Sequence, residues 1–182
     1  MDETLRKLAH LVIGLGIAAA IALIDKEMML IIMVITLFFG FLLSDALSRG
    51  HYIHGISPIV DAMERENVLP GKGAILFVFS AFVCLFFFEP KVVIPAIVAL
   101  AVLDGVATIA GLRYGQHRIF NGKSIEGTGA GIVAAFLVLL LVSPPAQALA
   151  IAVIAGLIEL VAPLDDNLLI PPCICLLLTV LG

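Results

Sequence analysis

Residues 92–128 read VVIPAIVALAVLDGVATIAGLRYGQHRIFNGKSIEGT, and this stretch decides the class of fold. Its first part, 92–111, holds one charged side chain, Asp104, and is long enough for a helix that crosses a bilayer, which needs about 20 residues. The polar segment that follows carries three cations together with His117 and Glu126. In a chain that is 62% hydrophobic and 13% charged, so dense a polar group indicates chemistry rather than packing.

The composition of the whole chain is that of a membrane protein. Its mean hydropathy is +1.21 over 182 residues, whereas soluble domains are only about half apolar. We predict an all-α, polytopic helical bundle that forms a single integral membrane domain over residues 1–182. The apolar runs predict seven membrane spans, at residues 8–24, 28–47, 74–88, 92–111, 127–142, 146–161 and 168–181.

The segment between the second and third spans, residues 48–73, is long for a compact bundle. Ser57 followed by Pro58 is typical of a helix N-cap and first turn. The residues that follow place apolar side chains opposite charged ones, which predicts a short amphipathic helix on the membrane surface. The apolar set is Ile59, Val60 and Met63, and the charged set is Asp61, Glu64 and Arg65.

The distribution of Lys and Arg predicts the orientation. If the N-terminus is cytoplasmic, eight of the ten cations lie on the cytoplasmic side, in accord with the positive-inside rule. The inner cations are Arg6, Lys7, Arg49, Arg65, Lys72, Arg113, Arg118 and Lys123, and the outer ones are Lys26 and Lys91. The last inner loop, 163–167, carries Asp165 and Asp166 without a cation. We therefore expect a cell-membrane protein whose polar features all face the cytoplasm.

Two carboxylates lie within predicted spans, where an ionisable group should face a partner or a wet cavity. Asp104 is followed on the same helix face by Thr108, Gly111 and Gly115. It is either a functional acid or the partner of a cation elsewhere in the bundle. Glu159 lies near the inner end of the sixth span, where structural and functional interpretations are equally open.

Near the N-terminus, Arg6, Lys7 and His10 share one helix face. They can form a cationic wall for a phosphorylated substrate or an anchor to lipid phosphates. Asp45 and Arg49, four residues apart at the inner end of the second span, predict a surface ion pair.

The polar loop is not a Walker A motif, because position 117, where that motif needs Gly, is His. It can still bind phosphate through Lys123, with Arg118 or Arg113, and through backbone amides where glycines open the fifth span. Those glycines, Gly127, Gly129 and Gly131, are equally typical of close helix crossings in membranes.

Taken in order, these residues resemble the CTP-dependent lipid kinases, the group that contains dolichol kinase, phytol kinase and yeast-type diacylglycerol kinase. The resemblance covers nearly the whole chain. The loop alone is shared with the phosphatidate cytidylyltransferases, whose longer C-terminal metal signature is missing here. The matching positions are Arg6-Lys7 with His10, Asp104 with Gly111 and Gly115, residues 122–128, Glu159, Asp166-Asn167 and Ile170-Pro171.

The resemblance implies a kinase that transfers the γ-phosphoryl group of CTP to a membrane lipid alcohol, an isoprenoid alcohol or diacylglycerol, at the cytoplasmic face. It implies Mg²⁺ as cofactor, CTP, the lipid and the bilayer as partners, no nucleic acid, and a homodimer as an open assembly state. The catalytic candidates are Asp104, Lys123 and Glu126, with Asp104 or Glu126 as the base. The metal candidates are Asp104, Asp165, Asp166 and Asn167, and the phosphate-binding candidates are Arg6, Lys7, His10, Arg113, His117, Arg118, Ser124, Gly127 and Thr128.

Two expectations can be compared directly with a structure. Asp104 and Asp166 should converge within reach of one ion, because the acidic 163–167 loop needs a counter-charge that Mg²⁺ would supply. Lys123 should lie in a polar loop where its loss harms nucleotide use more than folding. The alternatives to a kinase are a CTP:lipid-phosphate cytidylyltransferase and, outside enzymes, a small ion-coupled transporter that uses Asp104 and Glu159.

Overall fold

A computed structural model describes residues 3–63, 68–119, 122–161 and 164–181, and these residues form eight α-helices. The helices are α1 (Glu3–Leu23), α2 (Lys26–Ser48), α3 (Ser57–Met63), α4 (Lys72–Phe87), α5 (Pro90–Tyr114), α6 (Ile125–Leu139), α7 (Pro145–Val161) and α8 (Asp166–Leu181). The all-α prediction is confirmed.

Each predicted span coincides with a helix, and the predicted amphipathic segment coincides with α3. Glu64 and Arg65 lie outside the described residues. Three helices, α1, α2 and α5, are long and apolar enough to cross a membrane. The chain is therefore a membrane protein by helix length and composition. Helices α4, α6, α7 and α8 are apolar but shorter, so the count of seven spans stays a prediction.

Helix α5 is the centre of the bundle. It packs against α1, α4, α6, α7 and α8, and its residues from Ala96 to Gly105 are all buried. Many of its buried side chains are small, among them Ala96, Ala99 and Ala101. Small side chains allow helix backbones to approach closely, and close packing is the main source of helix association in lipid.

Glycines of α1 and α6 make close crossings with α5. A Cβ atom added to Gly14 of α1 would lie 2.6 Å from the Cβ of Ala101. One added to Gly131 of α6 would lie 2.9 Å from the carbonyl oxygen of Leu103, whereas Gly129 has no neighbour within 4 Å. The close-crossing interpretation of the glycines therefore holds for Gly131 and not for Gly129.

The seven apolar helices, without α3, alternate in direction, so the bundle has two distinct ends. We call the end that holds the starts of α1, α4, α6 and α8 the site end, and the opposite end the far end. Contacts between remote residues define the site end: the Ser44 hydroxyl of α2 donates to the Pro70 carbonyl before α4 over 2.6 Å. At the far end, Lys26 donates to the Phe88 carbonyl over 2.9 Å.

Candidate functional site

A cavity of about 780 Å³ opens at the site end and is lined by parts of six helices and the loop before α6. Both signs of charge face it. The charged residues that line it are Glu3, Arg6, Lys7, Lys72, Asp104, Arg118, Lys123, Glu159, Asp165 and Asp166. They come from α1, α4, α5, α7, the 115–124 loop and the start of α8, so only the folded bundle brings them together.

Three carboxylates form a cluster in the wall of this cavity. One oxygen from each of Asp104, Glu159 and Asp166 lies within 4.8 Å of the others. Asp104 and Glu159 are buried and Asp166 is partly buried. The expected convergence of Asp104 and Asp166 is present, and Glu159, which the sequence left undecided, lies between α6 and α8 as the third member.

Asp104 is held by a lysine from the other end of the sequence. The Lys7 ammonium group donates to both carboxylate oxygens, over 2.5 and 2.7 Å. Both side chains are largely buried, so removing either one would leave the other charge without its partner. The sequence left two interpretations of Asp104 open, a functional acid or the partner of a cation elsewhere in the bundle. The structure shows the cation partner, which is Lys7.

Lys123 joins the other two carboxylates. Its ammonium group donates to Asp166 Oδ2 and to the Glu159 carbonyl, both over 2.6 Å, and lies 3.5 Å from Glu159 Oε1. Two expectations need correction. Asp166 has a counter-charge, which Lys123 supplies from the neighbouring loop, so the need for Mg²⁺ does not follow from unpaired charge. Lys123 is also part of a half-buried ion network, so its loss will affect folding, contrary to the expectation that it could be removed without leaving an unpaired charge.

The start of α6 is built around Ser124. Its hydroxyl oxygen accepts a hydrogen bond from the Gly127 amide over 3.1 Å, as an N-cap does. Gly127 lies against α5, where an added Cβ would meet the Ala107 carbonyl oxygen at 2.5 Å. Its amide is therefore used within the helix start. One turn on, the Thr128 hydroxyl lies 3.3 Å from Glu159 Oε2 and orients that carboxylate toward the cluster.

The expected cationic face of α1 is divided by the structure. Arg6 and Lys7 line the cavity, and Arg6 forms an ion pair with Glu3. His10 is not one of the described side chains that line it. Its ring packs edge-on against Phe77, with centroids 4.8 Å apart, and its Nε2 atom lies 3.9 Å from Asp104 Oδ2. His10 therefore lies behind Asp104 and not in a phosphate wall.

The described parts of the loop before α6, residues 115–119 and 122–124, pair with each other. The Ile119 amide donates to the Lys123 carbonyl over 2.8 Å, and the Ile125 amide to the His117 carbonyl over 3.0 Å. Gly122, with φ of 74°, makes the turn that a side chain would strain. The fold of this loop aims Lys123 at the cluster and leaves Arg118 at the cavity rim.

Glu126 is not among the described residues that line the cavity, and it stabilises this loop through hydrogen bonds. Its carboxylate lies 2.6 Å from His117 Nδ1 and accepts hydrogen bonds from the Gln116 and His117 amides. The hydrogen bond from His117, followed by those from backbone amides, lowers the pKa of Glu126 to about 2. Arg113 also lies apart from the described lining, with its guanidinium 5.8 Å from the Tyr114 ring centroid. Glu126, His117 and Arg113, expected at the site, are therefore not brought to the carboxylate cluster.

The two remaining metal candidates, Asp165 and Asn167, lie at the start of α8 and differ in whether their side-chain oxygen has a hydrogen-bond partner. Asp165 caps the helix, since its Oδ1 accepts from the Asn167 amide over 3.2 Å. Asn167 Oδ1 is buried and has no hydrogen-bond partner among the described residues. Asn167 lines the same cavity as the three carboxylates, and an orphaned amide oxygen is a suitable donor for a hard cation.

Lys72 is one of the charged cavity residues that sequence reasoning passed over; Glu3 is another. Lys72 is the first residue of α4 and was counted only for orientation. The signal that could have found it is its place between two glycines, in the segment Pro70-Gly71-Lys72-Gly73, where a helix starts.

Comparison with known proteins gives a relative without an assigned activity. No protein-family model and no solved structure matches the chain. The uncharacterized protein MJ1137 of Methanocaldococcus jannaschii is 34% identical over 176 residues, which cover 94% of this chain and 90% of that protein. Identity at this level over nearly the full length of both chains shows common descent. The chain therefore belongs to the same protein family as MJ1137.

Proposed function

We propose that this protein is a CTP-dependent kinase that phosphorylates a membrane lipid alcohol and releases CDP. The observation that carries the proposal is the single cavity in which a buried carboxylate cluster meets cations from three parts of the chain. Phosphoryl transfer demands little covalent chemistry from a protein. It demands positioning and neutralisation of phosphate charge, which this arrangement of charges can supply.

The distribution of buried charge favours an enzyme over an ion-coupled transporter. Among the residues that the structure describes, the buried carboxylates are Asp104 and Glu159, and both lie at the site end. From Ala96 to Leu103, α5 is buried and carries no polar side chain toward the far end. A relay across the membrane would need ionisable groups or a wet path along the bundle, and this central helix offers neither between those positions.

The donor set of the cluster suits Mg²⁺. Asp104, Glu159 and Asp166 would hold the ion, because Mg²⁺ prefers hard oxygen ligands, and the orphaned Asn167 Oδ1 belongs to a residue that lines the same cavity. When bound, Mg²⁺ would neutralise the charge of the nucleotide phosphates.

The residues of the chain then have distinct roles. Lys7 and Lys123, now paired with the carboxylates, provide positive charge for phosphate oxygens. Of the two candidate bases, Asp104 lines the cavity and Glu126 does not. In the proposed step the lipid hydroxyl oxygen bonds to the γ-phosphorus of CTP, the bond to the β–γ bridging oxygen breaks, and the hydroxyl proton passes to Asp104. The products are a lipid phosphate and CDP.

The lipid alcohol would reach the cavity along α1. Leu8 and Val12 are exposed on this helix, close in sequence to Lys7, which points into the cavity. An acyl or isoprenoid chain can lie on this apolar surface while its hydroxyl group approaches Asp104.

The test is a product analysis with the purified chain in lipid nanodiscs. Labelled CTP and Mg²⁺ are supplied with polyprenol, a shorter isoprenoid alcohol or diacylglycerol. A kinase yields CDP and a phosphorylated lipid, a cytidylyltransferase acting on a lipid phosphate yields pyrophosphate, and a transporter consumes no CTP. Absence of CDP with every alcohol would overturn the proposal.

We further propose that the site end is cytoplasmic, as the Lys and Arg distribution predicts. Single cysteines replace Gln116, in the loop at the site end, and Gln147, near the start of α7 at the far end. An impermeant thiol reagent added outside cells should label the second and not the first. Equal protection of both positions would contradict the seven-span orientation.

A further inference from the structure

The cations that line the cavity differ in how they are paired. Lys7 and Lys123 are bound to carboxylates of the cluster, and Arg6 is bound to Glu3. Arg118 donates to the Gly122 carbonyl of its own turn over 3.2 Å. The ammonium group of Lys72 makes no hydrogen bond or ion pair with any residue in the described ranges, although it lines the same cavity. Lys72 and Arg118 are thus the two cavity cations that no described carboxylate neutralises.

The position of Lys72 is fixed by its surroundings. It follows Gly71, whose φ of 74° allows the sharp turn into α4. The turn is fastened to α2 by the hydrogen bond from the buried Ser44 hydroxyl to the Pro70 carbonyl. A Cβ added to Gly73 would lie 3.8 Å from Asn167 Nδ2, so the starts of α4 and α8 lie side by side.

This placement favours an anion. The first amides of a helix have no acceptor within the helix, and the dipole at that end is positive. Lys72 adds a full positive charge at the start of α4, and Arg118 adds another from the loop. The cavity volume of about 780 Å³ is within the range of ligand sites.

We propose that Lys72 binds a phosphate group in this cavity, with Arg118 as the second cation that lacks a described carboxylate partner. The inference rests on the proposed function in taking the ligand to be a phosphate. Two sources share this chemistry, the phosphates of a nucleotide and the phosphate of a lipid. Binding by Lys72 would leave Lys7 and Lys123 beside the carboxylate cluster, where the transferred group reacts.

The experiment measures binding without asking for turnover. Inorganic triphosphate with Mg²⁺ is titrated against the full chain in neutral phosphatidylcholine nanodiscs, and phosphatidic acid retention is measured in a parallel arm. Lys72→Ala should weaken binding of triphosphate, of phosphatidic acid or of both by about tenfold to a hundredfold, the usual effect of losing a charge-assisted hydrogen bond. Lys72→Arg should retain most of the affinity. Since Lys72 is exposed at a helix start, the alanine variant leaves no cavity in the core.

Lys91 gives a matched control. It is also an exposed lysine in the first turn of an apolar helix, and it lines a separate cavity of about 600 Å³ at the far end. Lys91→Ala should leave both affinities unchanged. A loss confined to triphosphate assigns the site to the nucleotide, and a loss confined to phosphatidic acid assigns it to a lipid phosphate. Wild-type affinity of Lys72→Ala for both probes, or no binding of either probe by the wild type, would overturn the inference.

The two proposals can fail separately. If the wild type forms no CDP but its triphosphate affinity depends on Lys72, the kinase proposal is wrong and the phosphate site stands. If the wild type forms CDP while Lys72→Ala keeps the wild-type affinities and KM for CTP, the phosphate site at Lys72 is wrong and the kinase proposal stands.

Discussion

Helices α2 and α5 are equally hydrophobic and lie in opposite surroundings. Each has a mean hydropathy of 2.4 over its most apolar 18 residues. In α5, 72% of that window is buried inside the bundle, whereas in α2 only 11% is. Hydropathy therefore predicts that both helices lie in an apolar environment, but it does not distinguish a helix surrounded by protein from one that faces lipid.

Side-chain size separates the two helices. The buried stretch of α5 is rich in alanine, and it crosses glycines of α1 and α6. The exposed face of α2 consists of large side chains, including Phe38, Phe39 and Phe41. In a bilayer, moving a large apolar side chain from lipid to the protein interior changes the free energy little. Close packing of small residues therefore determines which helix lies at the centre of the bundle.

The largest difference between the helices should appear at their aspartates. The Asp104 carboxylate on α5 is 6% exposed and bound to Lys7, while the Asp45 carboxylate on α2 is 59% exposed and paired with Arg49. Asp104→Asn should abolish CDP formation at any Mg²⁺ concentration, because an amide is a poorer ligand and cannot accept the proton. Asp45→Asn should leave CDP formation unchanged, since exposed pairs contribute little. Equal rates of CDP formation by the two variants would show that Asp104 has no role in the reaction.

Lys123→Ala should cause the next largest effect. It leaves the buried Glu159 and the half-buried Asp166 without their cation, so we expect loss of most CTP turnover together with a destabilisation of about 3–5 kcal/mol, as for a broken buried pair. Thermal unfolding in detergent and CDP release measure the two effects. Adding Glu159→Gln should restore part of the stability without restoring turnover. Normal CTP turnover by Lys123→Ala would show that the phosphate role is wrong.

Helix packing on α5 predicts a smaller and purely structural effect. Gly131→Ala places a methyl group 2.9 Å from the Leu103 carbonyl oxygen, which forces α6 away from α5. The cost should be about 1–3 kcal/mol, as for other overpacked sites. Gly129→Ala meets nothing within 4 Å and should be neutral or stabilising by up to about 1 kcal/mol through helix propensity. Melting temperatures of the two variants in one detergent test this, and equal temperatures would contradict the close crossing.

The smallest effect concerns the segments that leave the two helices at the site end. At the end of α2, the ion pair between Asp45 and Arg49 is exposed to solvent. In the loop after α5, the Glu126 carboxylate makes hydrogen bonds with Gln116 and His117. The pKa of Glu126 is lowered from 4.5 to about 2, so its stabilisation is complete above pH 4.5 and disappears as the pH falls toward 2. The protection factors of the Gln116 and His117 amides, which compare the observed exchange rate with the intrinsic rate at each pH, should fall over this range. Glu126→Gln should abolish the pH dependence and leave only weak protection.

The fold could be predicted from the sequence further than the site. Apolar runs located the seven apolar helices, and Ser57-Pro58 located α3, because both signals are local. The partners of the charges depend on which helices are neighbours, and no local pattern contains that. Lys7 with Asp104, and Lys123 with Asp166, therefore came from the structure, as did the separation of Glu126 from the cavity. Glu159 was singled out because a buried acid in an apolar helix is costly, yet its position as the third carboxylate of the cluster depends on the packing of α7 against α6 and α8.

The bond between Lys7 and Asp104 also sets an order for biosynthesis. The two residues are 97 positions apart, so α1 must wait in the membrane while the next helices are made before its lysine meets its partner. An aspartate within an inserting helix raises the free energy of insertion by about 2.5–3.5 kcal/mol. For α5 this cost remains until α1 packs beside it and Lys7 pairs with Asp104. Packing of α1 against α5 thus assists the folding of the later helix within the same chain. A chain that begins after α1 would expose Asp104 to lipid and become a substrate for membrane quality control.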